Sequence, residues 1–349
     1  MATLRPLSLR HRFIDGAMFG GWGPHLGHLL RTDKSNDVGS TLWFVDDYCA
    51  QNVADGLQCN VNDDHSLGYF ELDGGVWTER QVISLPGTVQ QNTASLVADD
   101  GTLYSYGLDV AGGVIHQCSY APKAGPEGCS ALPFSTGANA NYIGAAISPQ
   151  GYRLVWWTQV MDGGGGAFHY IIDYGGGFNG PRSGGVDGYN DASYVNIAFG
   201  GTSANAFTMH VQLVSGVAPN WSFFGAVGYG DMSDTSPVAW SNALAPPANT
   251  AVSSTNDVWT DAATGDTHLL ARLESGAAAY YHRPAGGAWS AASFVQPAAY
   301  RARWVVVAGR LAMVYGQPND ELQVRIADLA SQSAGVPIDW EALSPETVT

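Results

Sequence analysis

Two stretches decide the fold: NTASLVADDGTLYSYGLD, residues 92–109, and NYIGAAISPQGYRLVWWTQ, residues 141–159. Each opens on asparagine, runs through a short apolar segment, turns at a glycine and continues as an aromatic-rich segment with strand-like alternation. A third segment follows, as in VIHQCSY, AFHYIIDY or AAYYHRP. Two units add a GGxW start to a last strand, at GGVWTERQVI and GGAWSAASFV. The repeating unit is therefore four strands long, and repeats of this size are propeller blades.

Working outward, the unit openings fall at His28, Asn92, Asn141, Asn190, Asn256 and Arg301. The steps between them are 64, 49, 49, 66 and 45 residues, which carries six units to the end of the chain. The expectation is all-β: a six-bladed β-propeller, with seven blades as the alternative, forming one domain over residues 1–349. PLSLRHRFID near the N-terminus is expected to supply a strand closing the last blade. The two long steps carry insertions, DDYCAQNVADGLQCNVNDDHS and DMSDTSPVAWSNALAPPA.

Composition agrees. The chain is 45% hydrophobic but only 13% charged, with 44 glycines for turns. A net charge of −16 without a Lys or Arg cluster excludes nucleic acid and anionic membranes as partners. No apolar run is long enough to span a bilayer, so a soluble chain is expected. The four cysteines form two close pairs, Cys49 with Cys59 and Cys118 with Cys129. Two local disulfides, and hence a secreted or periplasmic protein whose leader precedes this numbering, are expected, with four free thiols as the alternative. No nucleophile elbow, zinc-protease helix, phosphate loop or dinucleotide fingerprint occurs.

In a propeller the first strand of each blade lines the central channel, so the unit openings form a set. Asn92, Asn141, Asn190, Asp191, Asn256 and Asp257 offer hard oxygen donors suited to a divalent cation, calcium first. His25 and His28 open the first unit and could act as acid and base or bind zinc or manganese. Tyr142, Tyr189, Trp259, Arg301, Arg303 and Trp304 stand beside these positions as substrate-binding candidates. The ordinary role of Asn and Asp at strand starts is to bond nearby backbone. His116, His169, His210 and His282 lie within strands and are expected to pack between blades, their rings bonded to backbone carbonyls.

The DDGTLY turns and GGxW starts resemble those of sialidase-like carbohydrate-active propellers. The Asn and Asp openings resemble the constellation of the six-bladed calcium-dependent hydrolases, the paraoxonase, diisopropylfluorophosphatase and gluconolactonase group. That resemblance implies a metal-dependent hydrolase of lactones, esters or phosphotriesters. Asp191, Asp257, His25 or His28 would be the catalytic groups. The alternatives are a polysaccharide lyase or glycosidase, whose ligand would be a saccharide, and a lectin-like scaffold.

Overall fold

The computed structural model describes residues 17–19, 29–31, 42–49, 65–73, 76–85, 89–98, 100–109, 111–122, 124–137, 140–159, 166–186, 191–200, 203, 205–217, 220–233, 239–241, 252–273, 275–297, 299–307, 309–318 and 321–348. They form six antiparallel sheets. In the first, β1 (Ala17–Phe19) and β2 (Leu29–Arg31) both pair with β3 (Leu42–Cys49), one at each end, so two short pieces fill one strand position. β4 (His65–Asp73) and β5 (Val76–Ser84) complete that sheet.

The other five each hold four consecutive strands. The second is β6 (Val89–Val97), β7 (Leu103–Asp109), β8 (Val114–Ala121) and β9 (Gly125–Ser135). The third is β10 (Ala140–Ile147), β11 (Arg153–Gln159), β12 (Gly166–Asp173) and β13 (Phe178–Val186). The fourth is β14 (Asp191–Phe199), β15 (Ala206–Val217), β16 (Asn220–Asp231) and β17 (Ala239–Ser241). The fifth is β18 (Val252–Thr260), β19 (Thr267–Leu273), β20 (Ala278–Arg283) and β21 (Phe294–Gln296). The sixth is β22 (Tyr300–Val307), β23 (Arg310–Gly316), β24 (Leu322–Asp328) and β25 (Glu346–Val348). These are the six blades of a β-propeller. They fall into two compact units, His11–Asp187 with blades 1 to 3, and Met1–Arg10 with Gly188–Thr349, which holds blades 4 to 6.

The two decisive stretches fold alike. Gly101 and Gly151 sit at φ of 85° and 83°, the left-handed region that glycine enters without steric cost. Their N–H groups donate to Ala98 O and Ser148 O, both at 2.9 Å, which closes the β6–β7 and β10–β11 hairpins. Gly144 answers a different need: it lies opposite Trp156, and a Cβ there would run into the indole.

The core lies between blades. Leu108, Ile143 and Trp157 meet in the seam of blades 2 and 3, and Leu270, Tyr280, Met313 and Trp340 in that of blades 5 and 6. Each such large side chain contributes roughly 1.5–3 kcal/mol on full burial.

The first strand of each of blades 2 to 6 breaks register with the second strand midway. Regular pairing resumes at Thr93, Ile143, Asn196, Asp257 and Arg303. Such bulges re-aim side chains and recur beside functional sites.

Several expectations need adjustment. GGVW does start the last strand of blade 1, but GGAW precedes β21 and is not part of it. The two insertions partly belong to blades, since Asp46–Cys49 end β3 and Ala239–Ser241 are β17. Cys118 and Cys129 face each other across β8 and β9 and are disulfide-bonded. Cys59 lies outside the described residues, as does the 6–15 segment expected to close the last blade. Among the described residues that blade takes its fourth strand from β25.

Candidate functional site

Of the sequence-chosen positions, His25, His28, Tyr189 and Asn190 lie outside the described residues. His25 and His28 belong to residues 20–28, which join β1 to β2. Asn92, Asn141, Asp191, Asn256 and Arg301 are placed as backbone only, their side chains being outside the described set. Asn92, Asn141, Asn256 and Arg301 fall within the bulges of their first strands. Asp191 does not. It pairs with Val214 at the start of β14, and the residue in register with Asp257 is Asn196. The bulge, invisible in the sequence, is what displaces the match.

Tyr142 sits in the β10 bulge, where its backbone N–H donates to Thr158 Oγ1 at 3.3 Å. Asp257, Trp259, Arg303 and Trp304 come together where β18 meets β22. Asp257 is the first residue of β18 back in register, and Arg303 holds the same position in β22. The Asp257 carboxylate reaches across, its Oδ2 accepting the Trp304 backbone N–H at 2.7 Å. Burial pushes its pKa up to about 6, against the pull of the Arg303 charge and of the Trp304 and Val258 N–H groups. A carboxyl that titrates near neutrality beside a guanidinium can take and return a proton. Arg303 Nη1 donates to Ala302 O at 2.7 Å, which orients the guanidinium.

The two tryptophans do something else. Trp259 and Trp304 are partly buried and pack against the core between blades 5 and 6. Between them lies His268, with ring centroids 5.3 Å from Trp259 and 6.4 Å from Trp304. Burial, with a smaller push from His282, lowers the His268 pKa to about 4, so the ring is neutral at pH 7. Its Nδ1 lies 2.9 Å from the Tyr280 hydroxyl. That hydroxyl accepts from the Ile338 N–H at 3.3 Å, which leaves its own proton for the histidine. His282 Nε2 meets Asp266 Oδ2 at 3.1 Å, and Asp266 also accepts from the Gly335 and Ala285 N–H groups.

His268, Tyr280 and Asp266 were not legible as a group. Their only signal is position, since Trp259, His268 and His282 form one cross-strand row through β18, β19 and β20. The remaining strand histidines differ from expectation. His169 bonds the Ser183 and Gln159 side chains, each at 2.8 Å, whereas His116 Nε2 stands 3.9 Å from Asp109, beyond hydrogen-bond reach, and its buried Nδ1 has no partner among the described residues. His210 is fully buried and, among the described residues, neither ring nitrogen has a partner.

For a cation, Asp257 is the only sequence-proposed ligand whose side chain is described. Its Oδ2 already accepts the Trp304 N–H and a positive guanidinium stands near; both favour the ionised carboxylate, Arg303 would repel a cation, and burial alone raises the pKa. Among the described residues no group of three or more His, Cys, Asp or Glu side chains is arranged to hold a metal ion.

No family model and no curated protein matches the chain. Among solved structures it is similar to the periplasmic gluconolactonase of Pseudomonas aeruginosa, over 93% of this chain and 88% of that one, at 11% identity and a TM-score of 0.51. A lectin from Burkholderia pseudomallei is similar over 93% of this chain and 99% of its own, at 11% identity and 0.44. The Aleuria aurantia lectin bound to alpha-methyl-L-fucoside is similar over 94% and 97%, at 10% identity and 0.42. What the chain shares with the gluconolactonase at this identity is the propeller fold.

Proposed function

We propose that the protein is a hydrolase of small lactones or esters in which Asp257 is the proton acceptor. One observation carries the reading: a half-buried carboxyl titrating near 6, fixed by the Trp304 N–H and flanked by Arg303, on the first strands of two adjacent blades. Above that pKa the carboxylate takes a proton from a water attacking the substrate carbonyl. A carbon–oxygen bond forms, the ring or ester oxygen leaves, and the proton returns to it from Asp257. Arg303 offsets the negative charge that develops on the carbonyl oxygen. The shared fold with a gluconolactonase supports lactones as the first substrates to test. From the Cys118–Cys129 bridge we infer an oxidising, extracytoplasmic compartment. A divalent cation held by the strand-opening Asn and Asp residues is retained as a separate proposal, and no step above runs through it.

The test is a panel of sugar lactones, esters and phosphotriesters, assayed before and after chelation and again with calcium, zinc or manganese restored. Asp257→Asn should lower kcat by at least about 100-fold while thermal stability stays near wild type, and should erase an acid limb of the kcat/KM profile near pH 6. Undiminished turnover by Asp257→Asn, or no turnover of any substrate by the wild type under any metal condition, would overturn the reading.

A further inference from the structure

The GGAW motif plays no part in the Asp257 site, and it does not open a strand. Instead it shapes the connection between β20 and β21. Gly287 N–H donates to Pro284 O at 2.9 Å, and Gly287 O in turn accepts from Arg283 Nε at 2.8 Å. Ser290 closes the turn, its N–H donating to His282 O at 2.8 Å. The turn therefore fixes the Arg283 stem through one edge of the guanidinium and projects Trp289 back toward blade 4.

There both side chains converge on Tyr229 of β16. The Arg283 guanidinium carbon lies 4.0 Å from the centre of the Tyr229 ring. Trp289 Nε1 donates to the Tyr229 hydroxyl. Trp289 packs against the seam of blades 4 and 5, and all three residues keep part of their surface in solvent. Stacking on the ring orients the fork, and among the described residues its two terminal amino groups meet no acceptor and no carboxylate. Among the described residues the Arg283 fork is thus fixed in place, partly open to solvent and without a carboxylate partner, which suits it to an external one.

We infer that Arg283, Tyr229 and Trp289 form a binding site for a carboxylated sugar. The free fork offers two parallel N–H groups to a carboxylate, while the indole offers an apolar face to the ring C–H groups. The site is independent of the Asp257 chemistry. The same recognition serves a free uronate or one residue of a polyuronate chain.

Calorimetric titration of the full chain with sodium glucuronate, glucose and an oligogalacturonate tests it. Saturable binding of glucuronate but not glucose, weakening with added salt, is the expected result. Arg283→Gln should weaken it at least about tenfold. Arg283→Lys keeps the charge but loses the fork and should fall between. Tyr229→Phe releases the indole without removing the ring and should also weaken binding, which covers the case of an Arg283 variant that fails to fold. Arg310→Gln, an exposed arginine elsewhere, should bind as wild type. Tighter binding of the oligomer than of glucuronate identifies a chain as the ligand, and equal binding identifies the free sugar acid. Absence of saturable binding by both acids, or wild-type affinity in Arg283→Gln, would overturn the proposal.

Discussion

The seam between blades 2 and 3 and the seam between blades 5 and 6 use the same backbone device for opposite ends. In both, the first strand leaves register at a bulge and rejoins it at a defined residue. In the first seam those residues are Thr93 and Ile143, 2% and 0% exposed, and they are packing. In the second they are Asp257 and Arg303, half-buried and charged. The first seam also has an ion pair, Arg153 with Asp173, but at the far end of β11 and β12, where it is saturated. Arg153 lies 4.0 Å above the Tyr104 ring and bonds Gln117 at 3.3 Å. Asp173 further accepts from the Gly175 and Gly177 N–H groups at 2.7 and 2.9 Å. Burial raises the Asp173 pKa, yet these bonds outweigh it and hold the group below the ordinary carboxylate range. A carboxylate whose bonds are complete is structural, whereas one left near neutrality has capacity for a proton.

The sharpest way to break this comparison is to neutralise one aspartate in each seam. Asp173→Ala leaves Arg153 without its buried partner and should cost about 3 kcal/mol or more in denaturant unfolding, with turnover per folded molecule unchanged. Asp257→Asn should do the reverse. If both variants lose mainly stability, or both mainly turnover, the distinction fails. Next in size is Gly144→Ala, which presses a methyl group against Trp156 and should cost roughly 1–3 kcal/mol, read as a lower melting temperature.

The smallest effect is in the acid range. Burial depresses the pKa of His210 to about 3, and burial with the His282 charge depresses that of His268 to about 4. Both remain neutral in the fold while the unfolded chain protonates them below about 6.5. Stability is therefore lost as pH falls from there toward 4. Asp257 works in the other direction, because its raised pKa lets the folded state bind a proton between about 6 and the ordinary carboxylate value. Melting curves from pH 7 to 4 should thus fall gently for wild type and more steeply for Asp257→Asn. Identical slopes would mean that Asp257 titrates normally.

Much of the fold was legible because it is local: alternation, the glycine turns at 101 and 151 and the spacing of openings need only neighbouring residues. The bridge between Cys118 and Cys129 was legible for the same reason. The site was only half legible. Asp257 and Arg303 were found through their position in the repeat, but the match of Asp191 to Asp257 failed because a bulge moves the register without leaving a sequence mark. Trp259 and Trp304 read as aromatics beside a channel, and only the packing of the adjacent blade shows them partly buried against the core. Tyr280 and Asp266, the partners of His268 and His282, are themselves held by Ile338 and Gly335, which no spacing rule connects to them.

The outermost strands have a further consequence. Among the described residues those of blades 4, 5 and 6 are three residues each, a short template for another chain. Those of blades 1, 2 and 3 run 9, 11 and 9 residues and need other protection. β5 carries the Glu71–Arg80 pair at its side, β13 contains Pro181, and β9 contains Pro126 and Pro133 and is stapled to β8 by Cys118–Cys129. β9 therefore has two guards against strand exchange, prolines that cannot donate to a further ladder and a disulfide that keeps the strand on β8.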